Sequence, residues 1–149
     1  MTNIAKPRYP HGFFADPATG LPLPKGEPAV HWAACRNGTR DMVLDKPVLY
    51  VDPQGTRWHV PAGFRCNGLS VPRFLWRIVH PFEPLTREAS VVHDWICTRP
   101  WVSWARGARV FYLAMRANGV SARSAMVRYL AVLIVGGLFK WRHQRRWGG

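Results

Sequence analysis

Asp94 is the last acidic residue in this 149-residue chain. From Trp95 to Gly149 there are ten Lys and Arg and no Asp or Glu. The formal net charge of +13 therefore splits into +3 through Asp94 (11 basic minus 8 acidic) and +10 beyond it (10 minus 0). A folded segment carrying charge of one sign repels itself unless something anionic lies against it. Any fold for this chain has to accommodate that cationic half and whatever meets it.

The length suits one domain with a real core. Apolar residues make up 48%, ordinary for a globular protein, while charged residues make up only 19%. Eight Trp are many for this length. Trp fills cores and also anchors protein interfaces, and either use would account for the excess. Cys35, Cys66 and Cys97 are odd in number and form no C-x-x-C pair, which argues against a disulfide framework and against a closed zinc site. The N-terminus has no apolar signal-peptide core. The longest apolar run, Tyr129 to Phe139, has 11 residues, whereas a bilayer span needs about 20. These features predict a soluble protein made in a reducing cytoplasm, with no membrane span.

Residues 1–40 read as an extended arm. Pro7, Pro10, Pro17, Pro22, Pro24 and Pro28 exclude a helix and interrupt strands. Tyr9, Phe13, Phe14 and Trp32 argue that the arm lies on its own body or on a neighbouring subunit. Asp16-Pro17-Ala18-Thr19-Gly20 predicts a tight turn. Residues 41–149 read as a single α+β domain with a basic C-terminal tail. Val48–Val51 and Arg57–Val60 flank Asp52-Pro53-Gln54-Gly55, which predicts a hairpin on a type I turn.

About four helices follow. Ser70 caps the first, Val71 to about His80, which Pro81 and Pro84 end. The second runs from about Thr86 to Cys97, with Glu88 near its positive end. The third begins near Ser103 and stops at Asn118-Gly119. The fourth runs from Ser121 to about Trp141 and is apolar all round in its middle, as a buried helix is. Gly136-Gly137 marks a close helix crossing or a break.

Two constellations bear on function. His93-Asp94 is the main polar pair. Adjacent helical side chains point about 100° apart, so the pair shares a metal only if other ligands complete the shell. Asn67, His59 and His80 are the nearest candidates in the sequence. No carboxylate follows Asp94, so a hard-metal site at His93 and Asp94 is disfavoured, and an internally hydrogen-bonded pair is the competing reading. Cys97 stands four residues after His93 on the same helix side, which permits a Cys–His contact; a buried small hydrophobe is the commoner role of such a Cys. No nucleophile elbow or phosphate loop is present.

The second constellation is Lys140, Trp141, Arg142, Arg145, Arg146 and Trp147, a cationic and aromatic cluster. Nucleic acid held through phosphates, an anionic membrane face and an acidic protein surface all fit it.

Val60-Pro61-Ala62-Gly63-Phe64, Ser70-Val71-Pro72-Arg73-Phe74-Leu75-Trp76 and Ala89-Ser90-Val91-Val92-His93-Asp94-Trp95 together resemble a family of small proteins of unknown function from tailed bacteriophages and prophages. Val110 to Met115 and Tyr129 to Trp141 match it in character. The resemblance covers more than half of the chain. It implies an Asp shortly before the Ser-x-Pro motif, where this chain has Asn67, and another in the third helix, where it has Ala108. With the His-Asp pair, those acids suggest a metal-binding or hydrolytic site, of which two of four polar members are missing here.

The resulting expectation is an α+β fold, a small hairpin or sheet packed on a helix bundle. The expected role is a non-enzymatic virion component of the tail or head–tail region. It would be made in the host cytoplasm and bound to other virion proteins in a symmetric multi-copy assembly. No cofactor is expected. The alternatives are a metal-dependent hydrolase or lysis-associated enzyme using His93 and Asp94, and an accessory protein making non-specific DNA contact.

Overall fold

The computed structural model describes residues 8–24, 27–33, 42–66 and 84–147. Strand β4 (Val48–Val51) organises the β region. It is apolar at every position and buried at every position, as a strand covered on both faces must be. It lies between β1 (Phe13–Ala15) and β5 (Arg57–Val60), antiparallel to both, with Phe14 opposite Tyr50 and Tyr50 opposite Trp58.

The β4–β5 hairpin turns where the sequence placed it. Gly55 N–H donates to the Asp52 carbonyl at 2.9 Å, and Gly55 takes φ +85°, which only glycine adopts without strain. The Asp52 carboxylate, itself buried, organises this turn. Its Oδ1 accepts from the backbone N–H of Gln54 (3.0 Å) and Thr56 (2.9 Å), and its Oδ2 accepts from Trp58 Nε1 (3.1 Å).

A second three-stranded antiparallel sheet is built from β2 (Trp32–Ala33), β3 (Met42–Leu44) and β6 (Arg65–Cys66), in the order β2-β3-β6. Two pieces of the Pro-rich segment are thus strands docked on the chain's own body. The turn at Asp16 forms as expected: Gly20 N–H donates to the Asp16 carbonyl at 2.7 Å, and Ala18 N–H to the Asp16 carboxylate at 2.8 Å. Gly12 (φ +76°) holds β1 against β4. A side chain there would collide with the Val51 carbonyl, beside which Tyr50 Oη donates to the His11 carbonyl at 2.6 Å.

Three helices lie among the described residues: α1 (Pro84–Cys97), α2 (Trp104–Ala117) and α3 (Ala122–Trp147). The helix expected over Val71–His80 falls outside them. Pro84, read as a terminator, is instead the first residue of α1, where its missing N–H costs nothing. Glu88 therefore sits in the second turn. Its Oε2 accepts from Asn118 Nδ2 at 2.7 Å, tying the end of α2 to the start of α1.

Ser103 caps α2 by accepting from Arg106 N–H, and Ser121 Oγ accepts from Ser124 N–H at the start of α3. At the end of α2, Gly119 (φ +91°) reverses the chain as Val120 N–H reaches back to Met115. Helix α3 continues past Trp141 to Trp147, so the basic tail is the last part of a helix.

One main core joins sheet and helices. Tyr50, Trp58 and Val60 meet Val91, Val92 and Ile96 of α1, Phe111 and Met115 of α2, and Ala125 and Val132 of α3. A smaller cluster of Ala15, Leu49 and Val51 fills the other side of β4. The close crossing of α2 and α3 falls at Gly136: a Cβ there would lie inside the Trp104 indole, whereas one at Gly137 would meet nothing.

Candidate functional site

His93 and Asp94 occupy adjacent positions near the end of α1 and face different parts of the molecule. His93 points into the core. Its ring packs edge-on to Trp104 (5.5 Å between centroids) and tilted against Phe111 (5.2 Å). Trp104, Ala108 and Phe111 form one i, i+4, i+7 row of α2, so Ala108 occupies the position between the two rings. Burial among these groups penalises the imidazolium and brings the His93 pKa down to about 4. Cys97 Sγ lies 3.6 Å from Nε2 and 3.8 Å from Nδ1 of the same ring, one helical turn on.

Asp94 turns instead toward β6. Its Oδ2 accepts from the Cys66 thiol at 2.8 Å. Burial raises its pKa to about 7, and the Cys66 hydrogen bond only partly offsets this. Burial thus favours the neutral form of both side chains. A neutral imidazole is the form a cation binds, but His93 is packed between Trp104 and Phe111 while Asp94 is hydrogen-bonded to Cys66 on β6.

Of the other expected ligands, His59 is the one among the described residues. His59 lies on β5, where exposed and buried residues alternate, and it faces solvent while Trp58 and Val60 face the core. Asn67 and His80 lie outside the described residues. Among the described residues no group of three or more His, Cys, Asp or Glu is placed to hold a metal ion. Cys66 is the partner the sequence did not reveal. It is remote in sequence from Asp94, and no local pattern links a two-residue strand to a helix end.

The cationic cluster Lys140, Trp141, Arg142, Arg145, Arg146 and Trp147 occupies the last turns of α3. No acidic residue follows Asp94, so these turns hold no carboxylate to offset the cations. The tryptophans divide between core and surface. Trp58 is buried, while Trp101 is 73% exposed and flanks Arg99, whose guanidinium stacks 3.6 Å from the Trp95 ring. Among the described residues no helix is long and apolar enough to cross a membrane.

Comparison with known proteins places the chain in a family. Two proteins of Sinorhizobium fredii (strain NBRC 101917 / NGR234) are similar to the chain. Uncharacterized protein y4jT is 42% identical over 94 residues, which is 62% of this chain and 28% of that protein. Uncharacterized protein y4iH is 35% identical over 88 residues, which is 58% of this chain and 37% of that protein. The chain thus spans well under half the length of either relative. No solved structure matches it. The family described as "Protein of unknown function (DUF1353)" matches residues 42–132, from β3 through the buried part of α3. That span takes in β4, β5, the Cys66–Asp94 contact and His93 with its aromatic neighbours, and the chain belongs to the DUF1353 family.

Proposed function

We propose that this chain is a structural or assembly component of a tailed-phage particle, in the tail or head–tail region, and that it acts by binding and without catalysis. It would be made in the host cytoplasm and carried into the virion, in contact with other virion proteins in a symmetric multi-copy arrangement. The observation that carries the reading is the division of labour in the fold. The polar pair that would serve chemistry, His93 and Asp94, is engaged internally by Trp104, Phe111 and Cys66. The cationic residues instead gather on the far end of a long helix. That end, Lys140 to Trp147, is the contact for anionic neighbours, and the N-terminal segment contributes to contact with neighbouring subunits.

The test is mass spectrometry of purified particles of a phage that encodes this chain. The protein is expected in a fixed ratio to other virion proteins. Deletion of Arg142 to Trp147 is expected to leave the fold intact and to remove the protein from particles. Absence of the wild-type chain from particles, or normal incorporation of the truncation, would overturn the assignment. Tight, salt-sensitive binding to DNA by a chain absent from particles would favour the accessory DNA-binding role instead.

A further inference from the structure

Helix α3 meets the core through one side and leaves the opposite side apolar. Ala125 and Val132 are buried, and Gly136 receives the Trp104 indole. Across the helix, Met126, Val127, Leu130 and Ile134 are 42%, 45%, 45% and 61% exposed. A helix on a protein surface ordinarily turns polar residues outward, and a contiguous apolar face marks a contact.

The spacing is specific. Val127, Leu130 and Ile134 are separated by three and then four residues. Alternating three-and-four spacing keeps a row facing one partner helix along its length. From Val127 to Ile134 the row runs about 10 Å at ~1.5 Å per residue, one heptad of contact.

Charge selects the occupant. Arg123 stands at the start of the row, and Lys140, Arg142, Arg145 and Arg146 stand at its end. A second copy of α3 would bring cations against cations in either orientation. A helix lying on an anionic bilayer needs cationic side chains along the border of its apolar face. Between Arg123 and Lys140 the one charged residue is Arg128, which is buried and hydrogen-bonded to Ser124. Nucleic acid offers phosphates for the ends of α3 and nothing to cover the aliphatic row.

We infer that the outward row Val127, Leu130 and Ile134, with Met126 beside it, is a docking seam for an acidic amphipathic helix of a neighbouring protein. Apolar residues of that helix fill the seam, and its carboxylates meet the cationic residues at the ends of α3. This deepens the assembly reading and rests on it, by naming the partner's chemistry.

The test uses the full chain and two synthetic three-heptad helical peptides. Both carry Leu at the a and d positions; one carries Glu and the other Lys at e and g. The acidic peptide is expected to bind with an affinity that falls as salt rises, and the basic peptide is expected not to bind. Ile134→Asp should weaken the acidic peptide at least tenfold, and the milder Ile134→Ser should weaken it less, with both variants melting as the wild type does. Equal binding of the two peptides, or binding unchanged in both variants, would overturn the inference. So would a wild-type dimer in sedimentation that Ile134→Asp dissociates, which would make the occupant a second copy. Phosphatidylglycerol vesicles bound by the wild type and released by Ile134→Asp would make it a membrane. These outcomes are independent of particle composition. A chain present in particles but blind to the acidic peptide loses the seam and keeps the assembly role.

Discussion

At pH 5.5 the unfolded chain carries His93 as an imidazolium and Asp94 as a carboxylate, because their ordinary pKa values are 6.5 and 3.8. The folded chain carries both neutral, since burial moves those values to about 4 and about 7. The proton that the imidazole gives up on folding equals the one the carboxyl takes up. Between about pH 4 and 6.5 the pair therefore exchanges no net proton, and its contribution to stability is nearly independent of pH.

Replacing one partner exposes the other. For His93 the folded pKa is the lower one, so the unfolded state binds more protons and stability rises with pH through this window. For Asp94 the folded pKa is the higher one. The folded state binds more protons, and stability falls as pH climbs from about 4 toward 7. Each full proton of difference is worth about 1.4 kcal/mol per pH unit. Asp94→Asn should therefore gain about 2 kcal/mol relative to wild type between pH 4.5 and 6.5, and His93→Gln should lose a similar amount. Urea unfolding followed by Trp fluorescence at pH 4.5, 5.5 and 6.5 measures this. Other titrating groups are common to all three proteins and cancel in the difference. Slopes parallel to wild type in both variants would refute the reasoning, because they would mean that the two side chains remain charged and solvated in the fold.

Further predictions follow from individual contacts. Gly136→Ala forces a methyl into the Trp104 indole and should cost about 3 kcal/mol of overpacking against a helix-propensity gain of about 1 kcal/mol. Gly137→Ala, whose new methyl meets nothing, should keep the gain, so thermal melts of the two should differ by roughly 6–12 °C. Equal melting temperatures would contradict the crossing. Asp52→Ala strands three donors, one of them on the buried Trp58, and should lower stability by about 2–3 kcal/mol in urea titrations. A change under about 0.5 kcal/mol would show that water replaces the carboxylate. Asp94→Asn keeps an acceptor for the Cys66 thiol, whereas Asp94→Leu removes it; the Leu variant should react faster with a thiol reagent at Cys66, and equal rates would show that this contact does not protect the thiol.

Local signals made much of the fold legible. Ser103, Ser121 and Asn118-Gly119 bound their helices because caps and stops act within a few residues. The Asp52–Gly55 turn is read from Pro and Gly at fixed offsets. Gly136-Gly137 was legible as a crossing or a break, and the Trp104 indole against Gly136 decides for the crossing. What the sequence hid is tertiary. The short strands β1, β2 and β6 exist only through the neighbours they pair with, so the Pro-rich segment read as an arm.

The site divides in the same way. The position of His93 and Asp94 on one helix was legible, as was the angle between them. Their partners Cys66, Trp104 and Phe111 come from other elements. Ala108, buried in the α2 row between Trp104 and Phe111, is where the resemblance implied an acid.

Whether His93 and Asp94 serve the fold or a reaction is decided most directly by elemental analysis of the full chain purified without chelator, beside His93→Ala and His93→Gln. Metal well below one equivalent in all three proteins is the expected result. One equivalent in the wild type that disappears in both variants would contradict the account and return the pair to catalysis.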